Sequence, residues 1–294
     1  MYQTPVAIQH RKAYHLWPLM GVPVMTTTLS KVLFESHATA YSLNNAYWLA
    51  LAAQIAYQDK TTIQPAVAKL GLNQFEFLSR RDTEGYIAAN DDIIIVAFRG
   101  TEPTHLRDLL ADAQFHKVQG PLGEVHQGFL GAFKLVKDDL LSAIQRLRDK
   151  SHPQSLWCTG HSLGGALAVV AAAQLLVDGH TVNGLYTFGQ PRIGDEIFAT
   201  ECARRLAGQH FRFVNNNDTV TRVAPRVLGY AHSGEVCYID TAGKIQTDIN
   251  FWDRFLERVK GRMEDFLKPG SDGLKDHSMR HYVEHIGSAL KSGG

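Results

Sequence analysis

The sequence predicts an α/β protein built on a mostly parallel, doubly wound sheet flanked by helices. Three observations carry that expectation. Residues 93–98, Ile-Ile-Ile-Val-Ala-Phe, are continuously apolar and largely β-branched, as in a strand buried on both faces of a parallel sheet. Residues 155–177 read as a strand, a sharp turn and an apolar helix, with Gly160-His161-Ser162-Leu163-Gly164 at the turn. Strand-like and helix-like stretches then alternate along the rest of the chain, the order of a sheet wound through crossover helices.

The bulk properties fit one domain. The chain has 294 residues, 45% of them hydrophobic and 20% charged, enough to bury a large core. We read residues 1–35 as an N-terminal extension, since Pro5, Pro18 and Pro23 interrupt any periodicity there, and residues 36–294 as the domain. A formal net charge of +1 and the absence of a basic cluster interleaved with aromatics argue against a nucleic-acid partner. Cys158, Cys202 and Cys237 are odd in number and widely spaced, so neither a disulfide framework nor a zinc site is implied. That usage favours a cytoplasmic location, with export left open. His10-Arg11-Lys12 and the apolar stretch 16–25 faintly resemble a signal peptide, but Pro18 and Pro23 break it and Ala38-Thr39-Ala40 comes late. No run is long enough to span a bilayer.

The elements follow in order. Residues 36–57 have helical periodicity, with Ala46, Leu49, Ala50, Ala53 and Tyr57 on one face. A short helix over 62–70 ends at Gly71. Strands are expected at 75–78, 85–90 and 93–98, the last two parted by an Asp91-Asp92 turn. Residues 102–113 form a short amphipathic helix through Leu106, Leu109, Leu110 and Ala113. It reads equally as a helix docked on the body or as a lid. A helix over 132–148 follows the segment 125–131, and the strand–turn–helix of 155–177 comes next. Strands at 185–189 and 211–215 flank a helix over 197–207, and 236–239 with 244–246 suggest a hairpin. Residues 251–268 are amphipathic, and Pro269-Gly270 stops them; they read as a docked helix or as an interfacial one. A final helix covers 278–290.

Chemistry enters at Ser162. The G-x-S-x-G pentapeptide between a strand and a helix forms a nucleophile elbow, whose glycines let strand and helix approach around a strained serine. The N–H of Leu163, at the helix N-terminus, would point into the same space. A serine hydroxyl needs a base, and the base needs a carboxylate to orient it. Asp218, in a polar loop just past a strand, is the best acid. Asp195 reads more naturally as a helix N-cap, and Asp240 follows a strand at the sheet edge. For the base, His277 before the last helix and His232 before a strand both stand. His281 and His285 extend an i, i+4 series from His277, but no carboxylate completes a metal set.

These segments together resemble the class 3, fungal-type lipases of the α/β-hydrolase fold, from about residue 36 onward. The resemblance rests on Phe98-Arg99-Gly100-Thr101, Val125-His126-Gln127-Gly128-Phe129, the Gly-His-Ser-Leu-Gly-Gly of residues 160–165, and Thr187-Phe188-Gly189-Gln190-Pro191-Arg192. Residues 215–220 and Asp276-His277-Ser278 with Tyr282 complete it. It implies a serine ester hydrolase that acylates Ser162, with His277 as base and Asp218 as its orienting acid. It further implies an oxyanion hole from the N–H groups of Thr101 and Leu163, aided by the Thr101 hydroxyl, which Asp112 would hold. The implied substrate is a triacylglycerol at an oil–water interface, with a phospholipid, galactolipid or aromatic ester on the same site as alternatives, and a non-catalytic lipid-binding protein as a remote one. No cofactor or metal is implied. The chain departs from the family in Glu102-Pro103, in the lack of a tryptophan over 102–112, in the added stretch 251–268 and in the absence of paired cysteines.

Overall fold

The continuous apolar run becomes β3 (Ile93–Phe98), in which every residue is buried. The computed structural model describes residues 33–101, 115–149, 153–216, 218, 220–222, 224, 226–247 and 276–292. From Phe34 onward the chain forms one unit. Most of the 1–35 extension, the 102–113 helix with Asp112, and the 251–268 helix lie outside the described residues.

Strands β1 (Gln74–Arg80), β2 (Thr83–Ala89) and β3 pair as an antiparallel meander. A short antiparallel pair, β4 (Lys117–Gln119) and β5 (Glu124–His126), stands apart. Strands β6 (Ser155–His161), β7 (Gly184–Phe188), β8 (His210–Asn215) and β9 (Glu235–Ile239) add to β3 in parallel. An antiparallel β10 (Ile245–Gln246) completes an eight-stranded sheet among the described residues.

Helices cover both faces, and the pleat decides which side chain meets which helix. In β6, Leu156 and Cys158 join the apolar cluster of α3 (Gln127–Leu147) and α4 (Leu163–Val177), where Phe133, Val136, Leu167 and Val170 are buried. Each such side chain contributes about 2 kcal/mol of burial. The alternate residues of β6 face α1 (Leu43–Ile55): Thr159 Oγ1 donates to the Leu49 carbonyl at 3.0 Å. Trp157 lies edge-on to Phe34 at 5.0 Å. The last helix, α6 (Met279–Lys291), packs on α1. Helix α2 (Lys60–Lys69) is capped by Asp59, and α5 (Glu196–Arg205) by Asp195.

Several boundaries differ from the sequence expectation. Helix α1 starts at Leu43, not near residue 36, because the Ser42 Oγ accepts from the Asn45 N–H and sets the N-cap. Helix α3 starts at Gln127 rather than 132, because His126 Nδ1 accepts from the Gly128 N–H at 3.1 Å. Strand β4 was not expected; its three residues are too few to show alternation. The parallel registers align Phe98 with Gly160, His161 with Phe188, and Phe188 with Phe213. The C-terminal ends of β3, β6, β7 and β8 therefore form one edge, where open α/β sheets gather their functional loops.

Candidate active site

Ser162 lies between β6 and α4 with φ 58° and ψ −126°, a left-handed conformation that costs a non-glycine residue about 1–3 kcal/mol. Backbone hydrogen bonds offset the strain. The Ser162 N–H donates to the Phe188 carbonyl at 2.9 Å, and the Ser162 carbonyl accepts from Gly165 at 3.0 Å and Ala166 at 3.2 Å. Its side chain does not cap the helix, and its Oγ is buried with no hydrogen-bond partner among the described residues. The N–H of Leu163 opens α4, where no intrahelical acceptor exists. A Cβ on Gly164 would strike the Phe98 carbonyl, so the helix start presses on the end of β3. That contact brings Leu163 and Thr101 in from touching segments. Arg99 braces the same strand end through Glu84, Nη1 to Oε2 at 2.6 Å.

Asp218 and His277 meet, although 59 residues separate them. The His277 Nδ1 lies 3.0 and 2.9 Å from the two Asp218 oxygens. Asp218 also accepts from the Val220 N–H at 3.0 Å and the Tyr282 hydroxyl at 2.5 Å. The direction of the phenol bond is fixed, because Tyr282 Oη accepts from the Asn215 N–H at 3.0 Å. Burial first, and then Asp218, hold the Tyr282 pKa well above the ordinary tyrosine value, so it stays a donor. With a carboxylate accepting at Nδ1, that nitrogen carries the imidazole proton and Nε2 keeps its lone pair. His277 Nε2 is buried and, like Ser162 Oγ, has no hydrogen-bond partner among the described residues. The Asp218–His277 pair is thus formed, while no hydrogen bond joins His277 Nε2 to Ser162 Oγ. Contacts of this kind commonly tighten only when substrate is bound.

Gly189, with φ 57°, shows why the strand β7 ends as it does: a Cβ there would lie 2.6 Å from Asp218 Oδ2 and 2.8 Å from His277 Nδ1. The loop carrying His277 is tied down by the end of β8 and the turn after it, since Asn215 Nδ2 donates to the Asp276 carbonyl at 2.8 Å and Asn216 Nδ2 to its carboxylate at 3.1 Å. Asp218, His277 and Tyr282 are named by their motifs in the sequence, whereas Gly189 and Asn215 carry no assigned role there. Their motif positions were the available signal.

The rivals have other partners. Asp195 Oδ1 caps α5 through the Phe198 N–H at 2.8 Å. Asp240 Oδ1 closes the β9–β10 turn through the N–H groups of Ala242 and Lys244, each at 2.9 Å. His232 sits among guanidinium groups; burial, then Arg212 and Arg192, push its pKa well below the ordinary histidine value. His281 and His285 share a face of α6, and no group of three metal-ligating side chains gathers among the described residues.

Residues 95–228 match the family described as Lipase (class 3). The chain belongs to the class 3 lipases. It is 34% identical over 158 residues to a secreted mono- and diacylglycerol lipase A of Penicillium cyclopium, covering 51% of this chain and 50% of that protein. It is 32% identical over 211 residues to a secreted mono- and diacylglycerol lipase of Malassezia globosa, covering 67% and 66%. A solved structure described as a triacylglycerol lipase with a serine-protease triad at its catalytic centre aligns with TM-score 0.59 and 27% identity, over 71% of this chain and 84% of that one. The fold of this class 3 lipase chain is that of the α/β-hydrolases. The chain spans about half the length of the first of these curated relatives.

One expectation is overturned. A cytoplasmic location was favoured from the odd cysteine count and the unconvincing signal-like stretch, but relatives from Penicillium, Fusarium and Malassezia are named secreted. The physical reason lies in where the thiols sit. Cys158, Cys202 and Cys237 are unpaired and buried. Burial pushes the Cys158 and Cys202 thiols up to about 12, so they behave as small hydrophobes and report nothing about redox compartment.

Proposed function

We propose that this chain is a serine hydrolase of acylglycerol esters, triacylglycerol included, acting at a lipid–water interface outside the cell. The observation that carries the proposal is the strained Ser162, its hydroxyl without a partner among the described residues, on the same sheet edge as the paired His277 and Asp218. In acylation the Ser162 Oγ attacks the ester carbonyl carbon while His277 Nε2 takes its proton. Asp218 stabilises the imidazolium that results. The oxyanion receives hydrogen bonds from the N–H groups of Thr101 and Leu163, with the Thr101 hydroxyl as a third donor, a type of contact worth about 3 kcal/mol of barrier apiece. Asp112 is assigned to hold that hydroxyl. As the C–O bond breaks, His277 passes the proton to the departing alcohol. Water, deprotonated by the same Nε2, then releases the fatty acid.

The names of the relatives support an acylglycerol over other esters, since they specify mono- and diacylglycerols, and a structural neighbour is described as a triacylglycerol lipase. The test compares the full chain with Ser162→Ala on emulsified trioleoylglycerol, dioleoylglycerol, phosphatidylcholine and methyl ferulate. Fatty-acid release from the glycerides, cut by about 10⁴-fold or more in the variant, is the expected outcome. Release only from phosphatidylcholine or methyl ferulate, or a fully active Ser162→Ala protein, overturns the reading.

A further inference from the structure

His277 is held from behind as well as through Asp218. His161, the residue before Ser162, is buried at the end of β6, and its ring packs on that of His277 with centroids 4.4 Å apart. The His161 Nε2 lies 2.7 Å from the His277 carbonyl oxygen. A carbonyl only accepts, so Nε2 must carry a proton. The Tyr57 hydroxyl, on the chain just past α1, lies 2.6 Å from His161 Nδ1. Burial, and then the neighbouring His277, keep the His161 pKa well below the ordinary value, so the ring is neutral and Nδ1 is free to accept from Tyr57. Both ring nitrogens are thus committed. With Asn215 on the Asp276 carbonyl, consecutive carbonyls of the base loop are gripped from the ends of β6 and β8, the two strands that flank β7.

We propose that His161 and Tyr57 are positioning residues for the reaction: Tyr57 fixes the tautomer of His161, and His161 holds the His277 main chain in line with Ser162. This rests on the serine-hydrolase reading above. The base loop belongs to no strand, so its peptide needs anchors that a sheet would otherwise supply. If the Tyr57 hydroxyl is removed, the Nδ1–H tautomer of His161 becomes accessible, and that form turns a lone pair toward the His277 carbonyl. Through this bond Tyr57 bears on the His277 loop by way of His161. A merely structural pair would affect melting and leave turnover per folded molecule alone.

The experiment measures kcat, KM and thermal melting of the full chain on p-nitrophenyl butyrate for Tyr57→Phe, His161→Leu, His161→Gln and the Tyr57→Phe/His161→Leu double variant. His161→Leu is expected to lower kcat by about 100-fold with KM within about twofold, the size of effect that a misplaced catalytic group produces. His161→Gln, whose amide can still donate to the carbonyl, should recover to within about 10-fold of wild type. Tyr57→Phe should lower kcat by about 10-fold alone and add nothing in the His161→Leu background. Equal losses in the Leu and Gln variants, or independent losses that multiply in the double variant, overturn the proposal. If His161→Leu does not fold, Tyr57→Phe decides alone, and an unchanged kcat overturns the proposal. A wild-type chain that neither turns over the ester nor is labelled at Ser162 by a fluorophosphonate instead removes the hydrolase reading itself.

Discussion

At the scale of single residues, the site depends on polar groups whose roles are fixed by what each neighbour can offer. Tyr282 is the clearest case, because one oxygen accepts from the Asn215 N–H and donates to Asp218. Tyr282→Phe leaves a buried N–H without its acceptor and strips one donor from the carboxylate, at a cost of about 1–3 kcal/mol. We expect a lower melting temperature together with a kcat drop of about 10-fold, read by calorimetry and ester turnover. Wild-type values for both would show that the phenol does not support Asp218. Part of this was legible beforehand. Asp195 followed by a helix start reads as a cap by local rules alone, and the structure uses it so. His277 and His232 could not be separated that way, because each precedes a regular element and the difference lies in the company each keeps in space. Tyr57 carried no signal beyond a place on an apolar helical face.

At the scale of elements, the turn from β6 into α4 is where sequence and structure correspond most directly. The elbow works only if the helix start can touch the end of β3, and the missing side chain of Gly164 permits it. A Gly164→Ala methyl would press on the Phe98 carbonyl and the Arg99 carbonyl carbon, both backbone atoms that cannot swing aside. The strand end leading to Thr101 must then move away from Leu163. We expect turnover to fall by about 100-fold with a depressed melting temperature. Unchanged turnover in a folded Gly164→Ala protein would mean that this close contact does not set the oxyanion geometry. Helix starts were displaced where a cap outranked periodicity, at Ser42 and at His126. Caps act through one side chain and leave no periodic trace.

At the scale of the whole molecule, the fold holds several histidines neutral in its interior, and that makes it acid-sensitive. His210 is buried in β8; burial, and then the Arg212 charge, push its pKa down to about 3. An unfolded histidine titrates near 6.5. Between those values the unfolded chain binds a proton that the folded chain excludes, so stability falls as pH drops from about 6.5 toward 3. The contribution is present in full above pH 6.5 and amounts to roughly 2–3 kcal/mol lost by pH 4.5. His210→Phe should therefore narrow the difference in melting temperature between pH 8 and pH 4.5. An unaltered difference would assign the acid sensitivity to other groups.

By itself the sequence determined the kinds of elements and the chemistry that they carry. Alternating apolar runs and turn residues act over short range, so a parallel sheet, a strained serine and a post-strand aspartate could be read from neighbours in the chain. Only the tertiary structure decided which distant groups meet. It put His277 on Asp218, placed His232 in the field of Arg212 and Arg192, and set Tyr57 and His161 behind His277. The reason is that strand order and register, not chain separation, bring these side chains to one sheet edge, and no local pattern encodes how strands line up.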